Sequence, residues 1–360
     1  MNSLAVALPD YATYDYNRFR GRYRVTASGS GIGSSSDSGS FVCHPFDVDG
    51  SISALVTSVE STTINAMAGV MVRESLAVGS PHMYTAINPT SGAVVQTRTS
   101  SNAVTSTSVA NGAVNAPYWV RVVRSGNSFT QFISPDSVTW TNVGTQTISM
   151  NTVAEACLAS TSAVINDTSV ALYDGVSVVP APWLPSDIGA PLPGSSMFDG
   201  TSYTLLAAGA GFGGTSDAGH LLCRPVTSGD WTLSVRVVSE EVVGGVYQAG
   251  VMFRASITAT SVHTFMSISS SGNSYNYYRS TTAGGTSTTL TTGTPPYWVR
   301  IVKVGDTYTA SRSTNGSTWS VVGTVTISMG STPYACLAAS SRTATRGGFA
   351  VFDNLNLTAP

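Results

Sequence analysis

The amino-acid sequence predicts an all-β chain built of two tandem antiparallel sandwiches, and three observations carry that prediction. Helix signals are nearly absent, whereas Val, Thr, Tyr and Phe alternate with polar residues and turn clusters recur about every ten residues. The composition is 42% hydrophobic and only 10% charged. Ser, Thr and Gly fill the gap, a mix that suits short strands and many tight connections. The third observation is an internal repeat. Ala68-Gly69-Val70-Met71-Val72-Arg73 returns as Ala249-Gly250-Val251-Met252-Phe253-Arg254, and Pro117-Tyr118-Trp119-Val120-Arg121 returns as Pro296-Tyr297-Trp298-Val299-Arg300. At nearly the same offset Ser36-Asp37 matches Ser216-Asp217, His82 matches His263, Trp140 matches Trp319 and Asp174 matches Asp353. A chain of 360 residues leaves each copy long enough to bury its own core.

The elements follow in chain order. Residues 1–179 are the first sandwich. Near its start Arg18, Arg20, Arg22 and Arg24 recur with period two opposite Phe19, Tyr23 and Val25, which on a strand sets four guanidinium groups on one face. Protection of an edge strand is one reading; docking on an anionic assembly partner is the other, because the second copy lacks the stripe. Residues 180–193 hold Pro180, Pro182, Pro185, Pro191 and Pro193. They predict a stiff extended linker and module opening, with the boundary near residue 182. Residues 194–360 are the second sandwich.

The order Ser-Asp-x-Gly, Ala-Gly-Val-Met-x-Arg, Pro-Tyr-Trp-Val-Arg, Ser-x-Asp/Asn-x-x-Thr-Trp and a closing Phe/Tyr-Asp-x-Val/Leu resembles the concanavalin A-like, laminin-G-like sandwich modules of bacterial exported proteins, twice over. Leu184-Pro185-Ser186-Asp187-Ile188-Gly189 resembles the usual module opening. The resemblance implies a jelly-roll of two antiparallel sheets, used mostly as a carbohydrate-binding or adhesive accessory domain, and by itself assigns no activity.

Alternation along the strands places Met71 with Arg73, Gln96 with Arg98 and Trp119 with Arg121 on shared faces, and in the second copy Met252 with Arg254, Tyr277 with Arg279 and Trp298 with Arg300. As neighbours these would form Arg-and-aromatic faces able to hold sugar rings, carboxylates or a protein. Pairing of the same Arg with Asp inside the fold is an equal reading. On the first reading Arg121 and Arg300 should matter more to binding than Arg342, which reads as a loop residue.

No catalytic residue is expected. A glycosidase needs two carboxyl groups flanking the scissile bond, yet Glu60, Glu74 and Glu155 have no Glu partner at their repeat positions. Glu240 and Glu241 are adjacent, which a strand sends to opposite faces, and surface solubility accounts for them. Gly209-Ala210-Gly211-Phe212-Gly213-Gly214 matches a dinucleotide fingerprint as a string, but a strand-like Leu221-Leu222-Cys223 follows where that motif needs a helix. Ser134 to Trp140 and Ser313 to Trp319 resemble a shortened Asp-box and read as structural turns. His82 and His263 lack a second His or Cys at ligand spacing, so no metal site is expected from them. Asp37 and Asp217 are loop candidates for Ca²⁺, with an Asx turn explaining them equally. Cys43, Cys157, Cys223 and Cys336 form two repeat-matched pairs. Free buried thiols and two disulfides both fit, the latter only if the strands bring the Cα atoms within about 7 Å.

A net charge of −2 offers no field for nucleic acid or an anionic membrane, and no apolar run reaches the length of a membrane span. Leu4-Ala5-Val6-Ala7-Leu8 is too short for a signal h-region, so the general secretory route is not expected. These features predict a non-enzymatic structural or binding protein of a virion surface, a bacteriophage capsid-decoration or appendage protein, with other virion or surface-assembly proteins and glycans as partners. The alternatives are a secreted, extracellular bacterial carbohydrate-binding protein or adhesin and, third, a glycoside hydrolase.

Overall fold

The computed structural model describes residues 3–7, 13–18, 20–189, 192–241, 243 and 246–359. Leu8, Phe19 and Pro191, named above, lie outside them. The regular structure among the described residues is strand throughout, and the chain divides into two compact units, Met1–Pro182 and Trp183–Pro360.

In the first unit one antiparallel sheet runs in the order Ser3–Ala7, Gly39–Phe46, Ala154–Thr161, Met67–Arg73, His82–Asn88, Gly92–Arg98 and Ser106–Asn111. The second runs Thr141–Thr147, Ser128–Ser134, Tyr118–Ser125, Gly50–Ser61 and Val164–Pro180; Arg22–Gly29 pairs with Val164–Pro180, and Thr13–Asn17 with Arg22–Gly29. Met67–Arg73 and His82–Asn88 are buried at every position, so both faces of the first sheet are covered. Ser160 Oγ meets Tyr173 Oη of the second sheet at 2.6 Å. By register Ala68, Val70, Val72, Ala156 and Leu158 share the Ser160 face and pack into the sandwich. The outer face carries its own cluster of Phe41, Met71, Tyr84, Val94 and Ala159, closed by Ile32 from the loop after Gly29.

The second unit repeats this plan. One sheet runs Leu184–Ile188, Gly219–Pro225, Tyr334–Ser340, Gln248–Arg254, His263–Ser269, Asn273–Arg279 and Ser287–Thr292. The other runs Ser195–Phe198, Ser202–Ala207, Gly348–Thr358, Trp231–Glu240, Tyr297–Val304, Thr307–Ser313 and Ser320–Thr326. Phe212 closes the outer-face cluster of Leu221, Met252, Phe265, Tyr277 and Ala338, as Ile32 does in the first unit. The glycine-rich segment around it is a loop, with Gly211 at φ 101°.

The four cysteines are bonded. Cys43 faces Cys157 in register and Cys223 faces Cys336, each pair with Cα atoms 4.1 Å apart. Each bond staples the outer face of its sheet.

Within residues 180–193, expected to be linker and module opening, Leu184–Ile188 is a strand paired with Gly219–Pro225. That strand is a sheet edge, where Pro185 removes no hydrogen bond from the ladder. The arginine stripe is broken. Gly21, at φ 64°, turns the chain between Thr13–Asn17 and Arg22–Gly29, so Arg18 and Arg20 lie in the turn and only Arg22 and Arg24 lie on the strand. Arg22 reaches inward to Asp174, with Nε–Oδ1 2.8 Å and Nη2–Oδ2 2.6 Å, and the exposed Arg24 donates to Thr26 Oγ1. In the second unit Arg236, from a different strand, forks onto the matching Asp353. The stripe was unmatched because the two units take this one arginine from different strands.

Candidate outer-face grooves

At one end of each outer face sits a buried ion cluster. Asp37 forks onto Arg98, at 2.5 Å (Oδ1–Nη2) and 3.0 Å (Oδ2–Nη1), and lies 3.2 Å from Arg73 Nη2 and 3.7 Å from His82 Nδ1. Asp217 repeats the arrangement with Arg279 at 2.7 and 3.1 Å, Arg254 at 3.4 Å and His263 at 3.4 Å. All eight side chains are 0% exposed. Two cations per carboxylate leave an excess positive charge, which backbone carbonyls take up: Arg73 donates to Ser75 O and Ala77 O, and Arg98 to Ser34 O, Ser80 O and Ala103 O. A third cation is excluded. Burial first, then Arg98 and Arg73, lowers the His82 pKa to about 3, and burial chiefly lowers that of His263 to about 4. Each neutral ring sits with Nδ1 3.3 Å from a carbonyl, Ser80 O or Ser261 O.

Arg73, Arg98, Arg254 and Arg279 therefore lie inside the fold and present no face to a ligand. Asp37 and Asp217 are enclosed by guanidinium groups, the wrong surroundings for Ca²⁺, and no group of metal-ligating side chains occurs among the described residues.

The second sequence-predicted set lies on the outward face of the second sheet, where tryptophans cover its arginines. Arg121 is 4% exposed and stacks over Trp140 at 3.6 Å, and the half-buried Arg300 stacks over Trp319 at 4.1 Å. Burial lowers the Arg121 pKa to about 9. The tryptophans are held by the Asp-box-like turns: Asp136 Oδ1 accepts from Val138 N and Thr139 N, and Asn315 Oδ1 from Ser317 N and Thr318 N. Trp119 is buried and Trp298 half-buried. These residues brace the second sheet of each unit.

Two and four residues before Arg98 and Arg279, on the same strand faces, the outer surface opens. In the first unit a cavity of about 370 Å³ is lined by Ile32, Met67, Asn88, Val94, Gln96 and Thr107 among others. Gln96 Nε2 donates to Thr107 Oγ1 at 3.1 Å, while its buried Oε1 has no partner among the described residues. In the second unit the matching positions are larger. Tyr275 and Tyr277 stand where Val94 and Gln96 do, with ring centroids 5.2 Å apart and planes 26° apart, and Phe265 continues the stack at 6.2 Å. Tyr275 is half-buried and Tyr277 is 8% exposed. Burial raises the Tyr277 pKa, and the nearby Gln248 and Arg342 side chains oppose the rise. Of the sequence-predicted binding residues, Tyr277 alone lies at this end of the outer face; Arg342, which reads from the sequence as a loop residue, lies near it beside Gly211. Period-two alternation identified the correct face but could not tell its open end from its closed one.

Sequence reasoning missed two further constellations. His220 Nδ1 lies 2.8 Å from Asp187 Oδ1, and His220 Nε2 lies 2.8 Å from Ser196 Oγ. That order matches a hydrolase triad, but Ser196 is 0% exposed, so no substrate reaches it and the three residues tie the strands around Leu184–Ile188 together. Glu240, read as a surface residue, is half-buried; it accepts from Ser270 N at 2.6 Å, and burial pushes its carboxyl up to about 8. The spacing of the sequence gives no sign of either.

No family model and no curated protein matches the chain. Solved structures do. A functionally unknown protein from Saccharomyces cerevisiae is 21% identical over 49% of this chain and 95% of its own, with a TM-score of 0.39. Domains LG4-5 of the mouse laminin α1 chain are 10% identical over 98% of this chain and 92% of theirs, TM-score 0.26. GH43B of a Bacteroides ovatus xyloglucan locus is 10% identical over 97% of this chain and 85% of its own, TM-score 0.34. Most of the named structures are glycoside hydrolases or a polysaccharide lyase, which goes against the expectations of a virion surface protein and of a chain without enzymatic activity. At such scores they bear on the fold alone, an all-β sandwich.

Proposed function

We propose that the chain consists of two tandem jelly-roll copies of one concanavalin A-like module and is a carbohydrate-active protein that engages polysaccharide in its outer-face grooves. The observation that carries this reading is the Tyr275–Tyr277 stack, flanked by Gln248 and Arg342. Rigid, part-exposed phenol rings offer an apolar plane to a sugar ring at small entropic cost, and the polar groups at their rim can meet its hydroxyls. The first-unit cavity adds a second groove, with an amide acceptor awaiting a donor. Two disulfides support an extracellular setting, since such bonds persist in oxidising compartments.

The test is retardation of the full chain in native gels containing β-glucan, xylan, galactan or polyuronate, with released reducing ends measured in parallel. Tyr275→Ala should weaken retention by about tenfold while leaving the fold intact. If no polysaccharide retards the protein and none is cleaved, the proposal fails.

A further inference from the structure

We infer that the second-unit groove selects a polysaccharide carrying carboxylates, a polyuronate, and that Arg342 is the residue that reads the charge; this rests on the polysaccharide reading above. The two units share the turn that follows the bonded late cysteine. Ala163 and Arg342 occupy the same place in it, both in the left-handed region at φ 61° and 58°. Their backbone amides donate to matching hydroxyls, Ala163 N to Thr161 Oγ1 and Arg342 N to Ser340 Oγ. The turn is thus common to both units, and the side chain is what differs.

Arg342 lies along the Gly211 loop. A methyl group on Gly211 would stand 3.2 Å from Arg342 Cδ, 3.4 Å from its Nε and 2.5 Å from Gln248 Oε1. The missing side chain at Gly211 leaves room for both groups, and Arg342 lies close enough to Tyr277 to act on its hydroxyl electrostatically. The residue is exposed and enters no ion pair among the described residues. Nine other arginines are engaged within the fold. Arg22, Arg73, Arg98, Arg236, Arg254 and Arg279 are paired with Asp, Arg121 and Arg300 lie on tryptophans, and Arg124 is spent on carbonyls.

A planar guanidinium without an acidic partner, at the rim of an aromatic stack, is complementary to a sugar ring bearing a planar carboxylate. The ring lies on Tyr275 and the carboxylate takes the fork in two parallel hydrogen bonds. A neutral sugar would use the stack and leave the fork to water. In the first unit Ala163 supplies no charge and Gln96 lines the groove, so that groove suits neutral hydroxyls. Within one chain the two units then hold different polymers.

The experiment measures dissociation constants of the full chain, at physiological salt, for polygalacturonate, a neutral galactan and dextran sulfate, using wild type, Arg342→Ala, Arg342→Lys and Tyr275→Ala. Arg342→Ala copies the first unit's residue, so the turn accommodates it. It should weaken polygalacturonate about tenfold or more and leave galactan within about twofold. Arg342→Lys, which keeps the charge but not the fork, should fall between. The carboxylate assignment is overturned if Arg342→Ala binds polygalacturonate like wild type while Tyr275→Ala does not, an outcome that leaves the polysaccharide reading standing. It is also overturned if dextran sulfate binds as tightly as polygalacturonate. Absence of binding to every polymer removes both readings together.

Discussion

Removing the Asp217 carboxylate tests whether the buried ion clusters are a structural requirement. Asp217→Ala would leave Arg254 and Arg279, both 0% exposed, with no counter-charge. Their carbonyl partners remain, among them Ser256 O for Arg254 and Gly284 O and Ser261 O for Arg279, so hydrogen bonding is largely kept and the loss isolates charge. Leaving one member of a buried pair uncompensated costs about 3–5 kcal/mol. With two cations stranded, the upper half of that range is expected, about three to four powers of ten in the folding equilibrium. Urea unfolding gives the total. Hydrogen exchange of Gln248–Arg254, the strand that carries Arg254, assigns it to the second unit. Asp217→Ala combined with Arg279→Met should recover part of the loss, because an apolar replacement needs no counter-charge. A loss below about 1 kcal/mol for Asp217→Ala would refute the reasoning and mean that carbonyls alone solvate both guanidinium groups.

Three further outcomes are expected. His82 and His263 have folded pKa values of about 3 and about 4 against 6.5 when unfolded; the unfolded chain therefore binds more protons between these limits. The histidines' contribution should be full above pH 6.5 and fall by about 1.4 kcal/mol per pH unit per histidine below it, opposed in the second unit by Glu240, whose raised pKa of about 8 favours the folded state at lower pH; His82→Gln should reduce the first unit's slope in acid melts. Reducing both disulfides should cost each unit about 4–5 kcal/mol, since they close chain separations of 114 and 113 residues; coincident urea curves with and without reductant would contradict this. Arg121→Met should be neutral or stabilising by about 1–2 kcal/mol, because Arg121 is buried without a carboxylate and its Nε has no partner among the described residues. A loss above 2 kcal/mol would show that the stack on Trp140 outweighs desolvation.

Much of the fold is legible in the sequence because strand patterning and repetition are local. Alternation finds the strand Met67–Arg73, and the recurrence of Cys43 and Cys157 one copy later aligns the units. Alternation also puts Gln96 with Arg98 and Tyr277 with Arg279, and those pairs do share a face. What period two cannot encode is which part of a face a loop covers. The loop bearing Asp37 arrives from far along the chain to bury Arg98, while Gln96 remains at a cavity. For the same reason Arg342 reads as an unremarkable loop residue until the strand before it sets it beside Tyr277. The Arg18 to Arg24 stripe fails on a single glycine, since a turn at Gly21 ends the alternation that gave it meaning.

The ion clusters also set the stiffness of the grooves. Arg98 and Thr105 both donate to Ser34 O, Asp37 N donates to Val78 O, and in the second unit Arg279 and Thr286 donate to Gly214 O. These bonds fix the two loops that carry Ile32 and Phe212 into the groove walls. On the polysaccharide reading proposed above, a polymer would meet a wall whose conformational entropy was lost on folding, not on association. Affinity would then rest on few contacts and be lost through faster dissociation when a wall loop is loosened, even by a change buried well away from the sugar.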